Sequence, residues 1–327
     1  MRGPSRDVYT RRVESVEKAV EEKLGPIRAV IAEIGARFIY LLIRIFGRTV
    51  HPSEVPWLHG PFGSDYIGDK PYEECARNEN LTVERRSTEG GLIPNFELLA
   101  SERFDVARVD PRVRHFYEHT ARYRMDVWAE TIFPASLGLS LLVTTISRKV
   151  NQLNFPLRVL ETAKGVDSEI VLLREPRGSI RYVGWYRRIV ATGRSIYTGF
   201  YMVARAPFDD RAAVKVVFPM PHGNATVLLR PQLSASGEFE LTSDGETFGD
   251  VGFYRVDRRP DGNWRVWHVR SLKEQFRLYL DGEGTLRCDH QVRFWGMRVL
   301  NLHYRLEALT ARADGSTQMS RSEHVEE

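Results

Sequence analysis

A succession of β-patterned segments organises the second half of the chain. It runs in short segments, 169–174, 179–190, 195–204, 212–218, 224–231, 237–241, 252–258, 264–271, 275–280 and 286–306, divided by turn signals of which Asp261-Gly262 and Asp281-Gly282 are the strongest. A period of two puts successive side chains on opposite faces of a sheet, and Asp-Gly pairs tolerate the positive φ of tight hairpin turns. These segments predict an antiparallel meander. With the helical patterns upstream, the fold class is α+β: N-terminal helices packed on or across a highly curved, roughly ten-stranded antiparallel sheet or partial β-barrel.

The first half is patterned differently. Residues 6–24 read as a solvated helix ended by Gly25-Pro26, and a second helix follows from Ile27 to Phe46. In it Ile27, Val30, Ile31, Ile34, Phe38, Leu41, Leu42 and Ile45 share one face, while Glu33, Arg37, Arg44 and Arg48 form a narrow polar stripe. Those charges fall through the middle of the apolar run, which argues against a membrane span. Two readings remain for this helix, contact with a membrane surface or packing on the sheet or a partner. Residues 51–109 are rich in Pro and Gly and read as an irregular connector, with Trp57, Phe62 and Tyr66 holding it against a surface. Asp110-Pro111 starts a short helix to about Thr120, because Asp caps orphan amides and Pro suits the first helical position. A strand from Tyr123 follows, and then Thr131 to Ser147, which carries no charge and reads as a buried or partly membrane-facing helix. The chain divides into 1–50 (amphipathic helical), 51–109 (connector), 110–311 (curved β domain with helices) and 312–327 (polar tail).

Composition narrows the classes. Forty of the 47 basic residues are arginine, yet the net charge is only +4 and the arginines are scattered, so nucleic acid is not an expected partner. Cys75 and Cys288 are the only cysteines, which leaves no disulfide framework or Cys-based zinc site and fits a reducing cytoplasm, with membrane association through Ile27 to Phe46 as a variant. No phosphate loop, dinucleotide fingerprint or nucleophile elbow is found, so no cofactor is expected.

The stretch from Val113 to Pro156, with HFYEHTARYRMDVW and SRKVNQLNFP, resembles uncharacterised bacterial proteins of the YndJ type. The order of features, from the Phe-Tyr helix to the strand carrying His303-Tyr304-Arg305, is similar to a bacterial domain of unknown function found fused to saccharopine-dehydrogenase-like reductases. The resemblance is confined to 113–156 and 286–306; it implies a bacterial origin and no established activity.

Two constellations carry possible chemistry. His115-Phe116-Tyr117-Glu118-His119 matches HxxEH, in which two His one turn apart hold zinc and the Glu is a general base; the pattern lacks an identifiable third ligand, and satisfied histidines at a helix end are the competing explanation. In the sheet, Tyr186, Arg188, Tyr197, Tyr201, Arg205, His290, His303, Tyr304 and Arg305 form a candidate ligand-binding set, with His290 or Tyr201 as proton donors should there be catalysis. Arg forks suit a carboxylate or phosphate head and the aromatics suit a tail. The expected function is binding of a hydrophobic or amphipathic small molecule such as a lipid, isoprenoid or polyketide. The alternative is a cofactor-independent cyclase or isomerase in the same cavity. A sheet interior packed solid would exclude both.

Overall fold

The computed structural model describes residues 37, 41–64, 67–131, 166–190, 193 and 195–309. Its core is one antiparallel sheet of fourteen strands. Along its main path lie β2 (Thr82–Glu84), β4 (Val166–Arg174), β5 (Ile180–Ile189), β6 (Ser195–Arg205), β7 (Ala212–Met220), β8 (Gly223–Leu233), β9 (Phe239–Thr242), β12 (Leu272–Leu280), β13 (Leu286–Phe294), β14 (Met297–Ala308) and β3 (Tyr123–Thr131), in that order. A branch leaves the path at β8, through β10 (Gly252–Arg258) and β11 (Trp264–His268) to β1 (Arg48–Val50). The first half of β8 pairs with β10 and its second half with β9, so the sheet forks at one strand. Among the described residues the sheet has fourteen strands where roughly ten were expected, and it is not closed, its main path ending at β2 and β3.

Curvature follows from which residues meet. β5 and β14 stand seven places apart in the strand order. At about 4.8 Å per strand a flat sheet would hold them roughly 34 Å apart. Yet Arg187 of β5 lies close enough to Tyr304 of β14 to act on its hydroxyl electrostatically. The sheet therefore curls, and the inner side chains of β4 through β14 join one buried cluster. Much of that hollow is filled by residues 92–118, where Leu92, Ile93, Phe96, Leu99, Phe104, Val106, Val109, Val113, Phe116 and Tyr117 are all buried. Within this stretch lies helix α2 (Pro111–Glu118), capped as its sequence predicts by Asp110, whose Oδ1 accepts from the Arg112 amide at 2.8 Å.

The outer face carries helix α1 (Lys70–Glu79), inside the segment expected to be irregular. Its Tyr72 is wholly buried against β5 at Gly184, where a Cβ would sit 2.4 Å from the ring, so glycine makes the docking possible. The α1 stripe was missed because Pro and Gly flank a helix of only ten residues. Trp57 and Phe62 do pack as a cover, over the β10–β11 branch.

Three further expectations change. The segment 286–306 is not one strand but a hairpin, turning at Trp295-Gly296 with φ of 49° and 77°. The segment 264–271 ends as a strand at His268. After β12 the positive φ falls on Gly284, not Gly282. Of the helix from Ile27 to Phe46, residues 37 and 41–46 are described and helical; there Ile43 is buried while Leu41 and Ile45 are exposed. The rest of that helix, the apolar run beyond Thr131 and the tail after 309 lie outside the described residues. Among the described residues no helix is long and apolar enough to cross a membrane.

Candidate ligand site on the inner face of the sheet

At one end of the hollow the packing turns polar. Strand β5 supplies Trp185 and Arg187, β6 supplies Tyr197 and Tyr201, β12 supplies Glu274 and Phe276, β13 supplies His290 and β14 supplies Tyr304. Trp185 and Arg187, and Glu274 and Phe276, sit two positions apart and Tyr197 and Tyr201 four, so the period of two that makes the sheet also collects these groups.

Arg187 is the central group. Only 3% of it is exposed, its guanidinium lies over the Trp185 ring at 5.4 Å, and its Nε has no hydrogen-bond partner. Among the described residues no carboxylate lies within 4.0 Å of it. The guanidinium acts electrostatically on Tyr304, and Tyr197 and Tyr201 act on each other in the same way. Burial pushes the Tyr304 phenol up to about 12, with the nearby guanidinium opposing. Burial likewise holds Tyr197 and Tyr201 well above the usual tyrosine range. All three are neutral hydroxyls at pH 7, able to donate to an anion. Edge-to-face contacts of Tyr197 with Trp185 (5.5 Å, 88°) and Phe218 (5.9 Å, 85°) fix the ring that carries one of them.

Beside the tyrosines, His290 and Glu274 form a pair with Nε2 to Oε2 at 2.9 Å. The imidazole stacks on Phe276 with centroids 3.8 Å apart and planes inclined by 14°. The Glu274 backbone is anchored in turn, its amide donating to Ser243 Oγ at 2.7 Å. Glu274 contributes to the field at both Tyr201 and Tyr304, so the pair and the phenols share one environment.

A cleft of about 690 Å³ adjoins the cluster at Tyr201, bounded by Pro94, Leu98, Ile180, Val183, Val203 and Ala212, with Arg174 and Arg205 also in its lining. Tyr201 belongs both to the cleft wall and to the buried cluster. The open lining expected along the sheet is thus reduced to this end, because residues 92–118 fill the remainder.

The nine sequence candidates divide between the faces. Tyr197, Tyr201, His290 and Tyr304 come together inside. Tyr186 points to the outer cluster and meets Ser195 Oγ at 3.0 Å. Arg188 pairs with Asp167 at 2.7 Å, and Arg305 with Glu307 at 2.7 Å. Arg205 is exposed beside Asp210, and His303 is held by Asp289 at 2.8 Å. His303 and Arg305 flank Tyr304 in sequence, and alternation puts them on the other face. Arg187, Trp185 and Glu274 were missed. Arg187 shares a face with Trp185, which was the available signal, but a bulge between Arg187 and Arg188 obscures which arginine turns inward.

The HxxEH motif is otherwise employed. His115 Nδ1 meets the Tyr123 hydroxyl at 2.8 Å, His119 lies past the helix end with Nδ1 3.3 Å from the Glu89 carbonyl, and Glu118 accepts from the Phe96 amide at 2.7 Å. Among the described residues no group of three or more His, Cys, Asp or Glu is placed to hold a metal ion.

One more buried cation lies on the outer face. Lys215 of β7 is 2% exposed and donates to the His59 carbonyl. Burial brings its amine down to about 7, with Arg181 adding to the effect and Glu79 opposing it. Comparison with protein-family models, curated proteins and solved structures yields no match.

Proposed function

We propose that the protein binds an amphipathic small molecule whose anionic head, a carboxylate or phosphate, is received by Arg187, Tyr197, Tyr201 and Tyr304, and whose apolar part lies in the cleft along Leu98, Val183 and Val203. The observation that carries this reading is the buried guanidinium without a carboxylate. A guanidinium keeps its proton at any physiological pH, so an arginine cannot relieve its burial by deprotonating. An anion placed against it gains a charge-assisted hydrogen bond in a setting of low dielectric. The neutral phenols add donors without adding competing charge. The cleft's volume falls in the range of small-molecule sites.

Native mass spectrometry of the intact chain, with and without added decanoate or decyl phosphate, tests the proposal. The expected result is a one-to-one complex formed by the wild type and lost in Arg187→Met. Equal binding by both proteins would overturn it.

A second reading, cofactor-independent catalysis, draws on the His290–Glu274 pair at 2.9 Å. A carboxylate that orients an imidazole beside neutral phenols is an arrangement for moving a proton within a bound substrate. His290→Gln separates the two: retained ligand affinity with abolished turnover supports an enzyme, and the absence of turnover in the wild type supports a binding protein.

A further inference from the structure

We infer that the β13–β14 hairpin tip is the surface by which this protein sits on an anionic lipid bilayer. The turn has two residues, Trp295 and Gly296, with Phe294 opposite Met297. Both turn residues have positive φ, the condition that makes Asn-Gly or Asp-Gly the favoured pair and a bulky side chain an unfavourable one. Trp295 is nonetheless there, 73% exposed, with Met297 62% exposed beside it and the Phe294 ring 4.4 Å away. Apart from the Phe294 ring, the indole at this strained position is left exposed by the fold, so further burial has to come from outside.

The surroundings specify what covers it. Arg293 and Arg298 are paired in register just behind the tip. Arg270 lies in the next connection, whose Ser271 carbonyl receives the Trp295 amide at 2.8 Å. All three arginines are exposed, and among the described residues none has a carboxylate within 4.0 Å. On the other side of that connection Trp267 stacks with Phe46 at 6.0 Å, and Phe46, Ile45 and Leu41 are 61%, 59% and 50% exposed. An aromatic and Met tip with a collar of exposed arginines, of which Arg270 also feels Glu246 at longer range, suits an interface in which indoles rest at headgroup depth and guanidiniums meet lipid phosphates. This surface differs from the ligand site, and either can fail without the other.

The experiment is co-sedimentation of the full chain with phosphatidylcholine vesicles, with and without phosphatidylglycerol, comparing wild type with Trp295→Asn combined with Met297→Thr. Asn-Gly is the preferred pair for this turn, so the variant keeps its hairpin. The expected result is binding to the anionic vesicles that the variant reduces roughly tenfold or more, with loss of tryptophan quenching by brominated lipid. Arg293→Gln with Arg298→Gln is expected to weaken binding to anionic vesicles and leave neutral ones unaffected. Wild type that stays in solution with anionic vesicles, or a tip variant that binds as well as wild type, would overturn the inference. So would self-association of the wild type that the tip variant abolishes without any vesicle binding, which would assign the tip to a second copy.

Discussion

Arg187 is buried and Arg230 half-buried on the same sheet, and they are treated in opposite ways. Arg230 stands on β8 where the strand changes partners, and it is surrounded by acids: Asp250 in direct contact, Asp209 at 3.1 Å and Asp244 at 3.7 Å. These carboxylates come from the connections that converge on the fork, so the guanidinium ties the two branches together. Arg187 has an aromatic face and hydroxyls instead of acids. Lys215 gives a third solution, since an amine can release its proton. Of these three cations, Arg187 alone is neither paired with an acid among the described residues nor able to lose its proton, and the proposed anion site rests on that difference.

The largest expected effect lies at Arg230. Arg230→Met leaves Asp250 without its cation and takes one of two from Asp209, which keeps Arg211, and is expected to lower stability by roughly 3–5 kcal/mol, read from urea denaturation midpoints. A loss below about 1 kcal/mol would mean that the fork does not depend on this clamp.

Lys215 follows. Its folded value of about 7 lies below the unfolded value, so between the two the unfolded chain binds the extra proton and stability rises with pH. Between pH 7 and 9 this group alone contributes an increase of roughly 2–3 kcal/mol. Lys215→Met is expected to flatten that slope; a slope unchanged by the substitution would show that the amine stays charged in the folded protein.

For Arg187 the sign reverses. Arg187→Met in the ligand-free protein is expected to be neutral or stabilising by about 1–3 kcal/mol, because an unpaired buried charge is replaced by an apolar chain of similar length. If it destabilises as much as Arg230→Met does, Arg187 is structural and the ligand reading fails. The smallest effect is expected at Tyr304→Phe, with stability changed by less than about 1 kcal/mol and decyl phosphate affinity reduced by roughly tenfold. Isothermal titration measures that loss, and unchanged affinity would remove Tyr304 from the site.

Legibility was uneven for a physical reason. Alternation located the inner strands well, and Asp110-Pro111 marked the start of α2, because both are local rules satisfied within a few residues. The Trp295-Gly296 turn escaped because tryptophan is not a turn residue, and α1 escaped because ten residues between Pro and Gly signals carry little periodicity. For the candidate site, Tyr197, Tyr201, His290 and Tyr304 were legible as aromatic and titratable groups on strands. Their companions Tyr186, Arg188, Arg205, His303 and Arg305 were grouped with them only because neighbours in sequence look equivalent until a face is assigned.

By itself, then, the sequence determined an antiparallel, β-dominated chain and its approximate strands. Tertiary structure decided the rest: that β8 serves two branches, that residues 92–118 fill most of the hollow, and that Arg187, not Arg188, turns inward. These are consequences of curvature and register, which bring β5 against β14 across seven strand positions. Whether a buried cation finds a carboxylate depends on which distant strand arrives opposite it, and no local pattern encodes that.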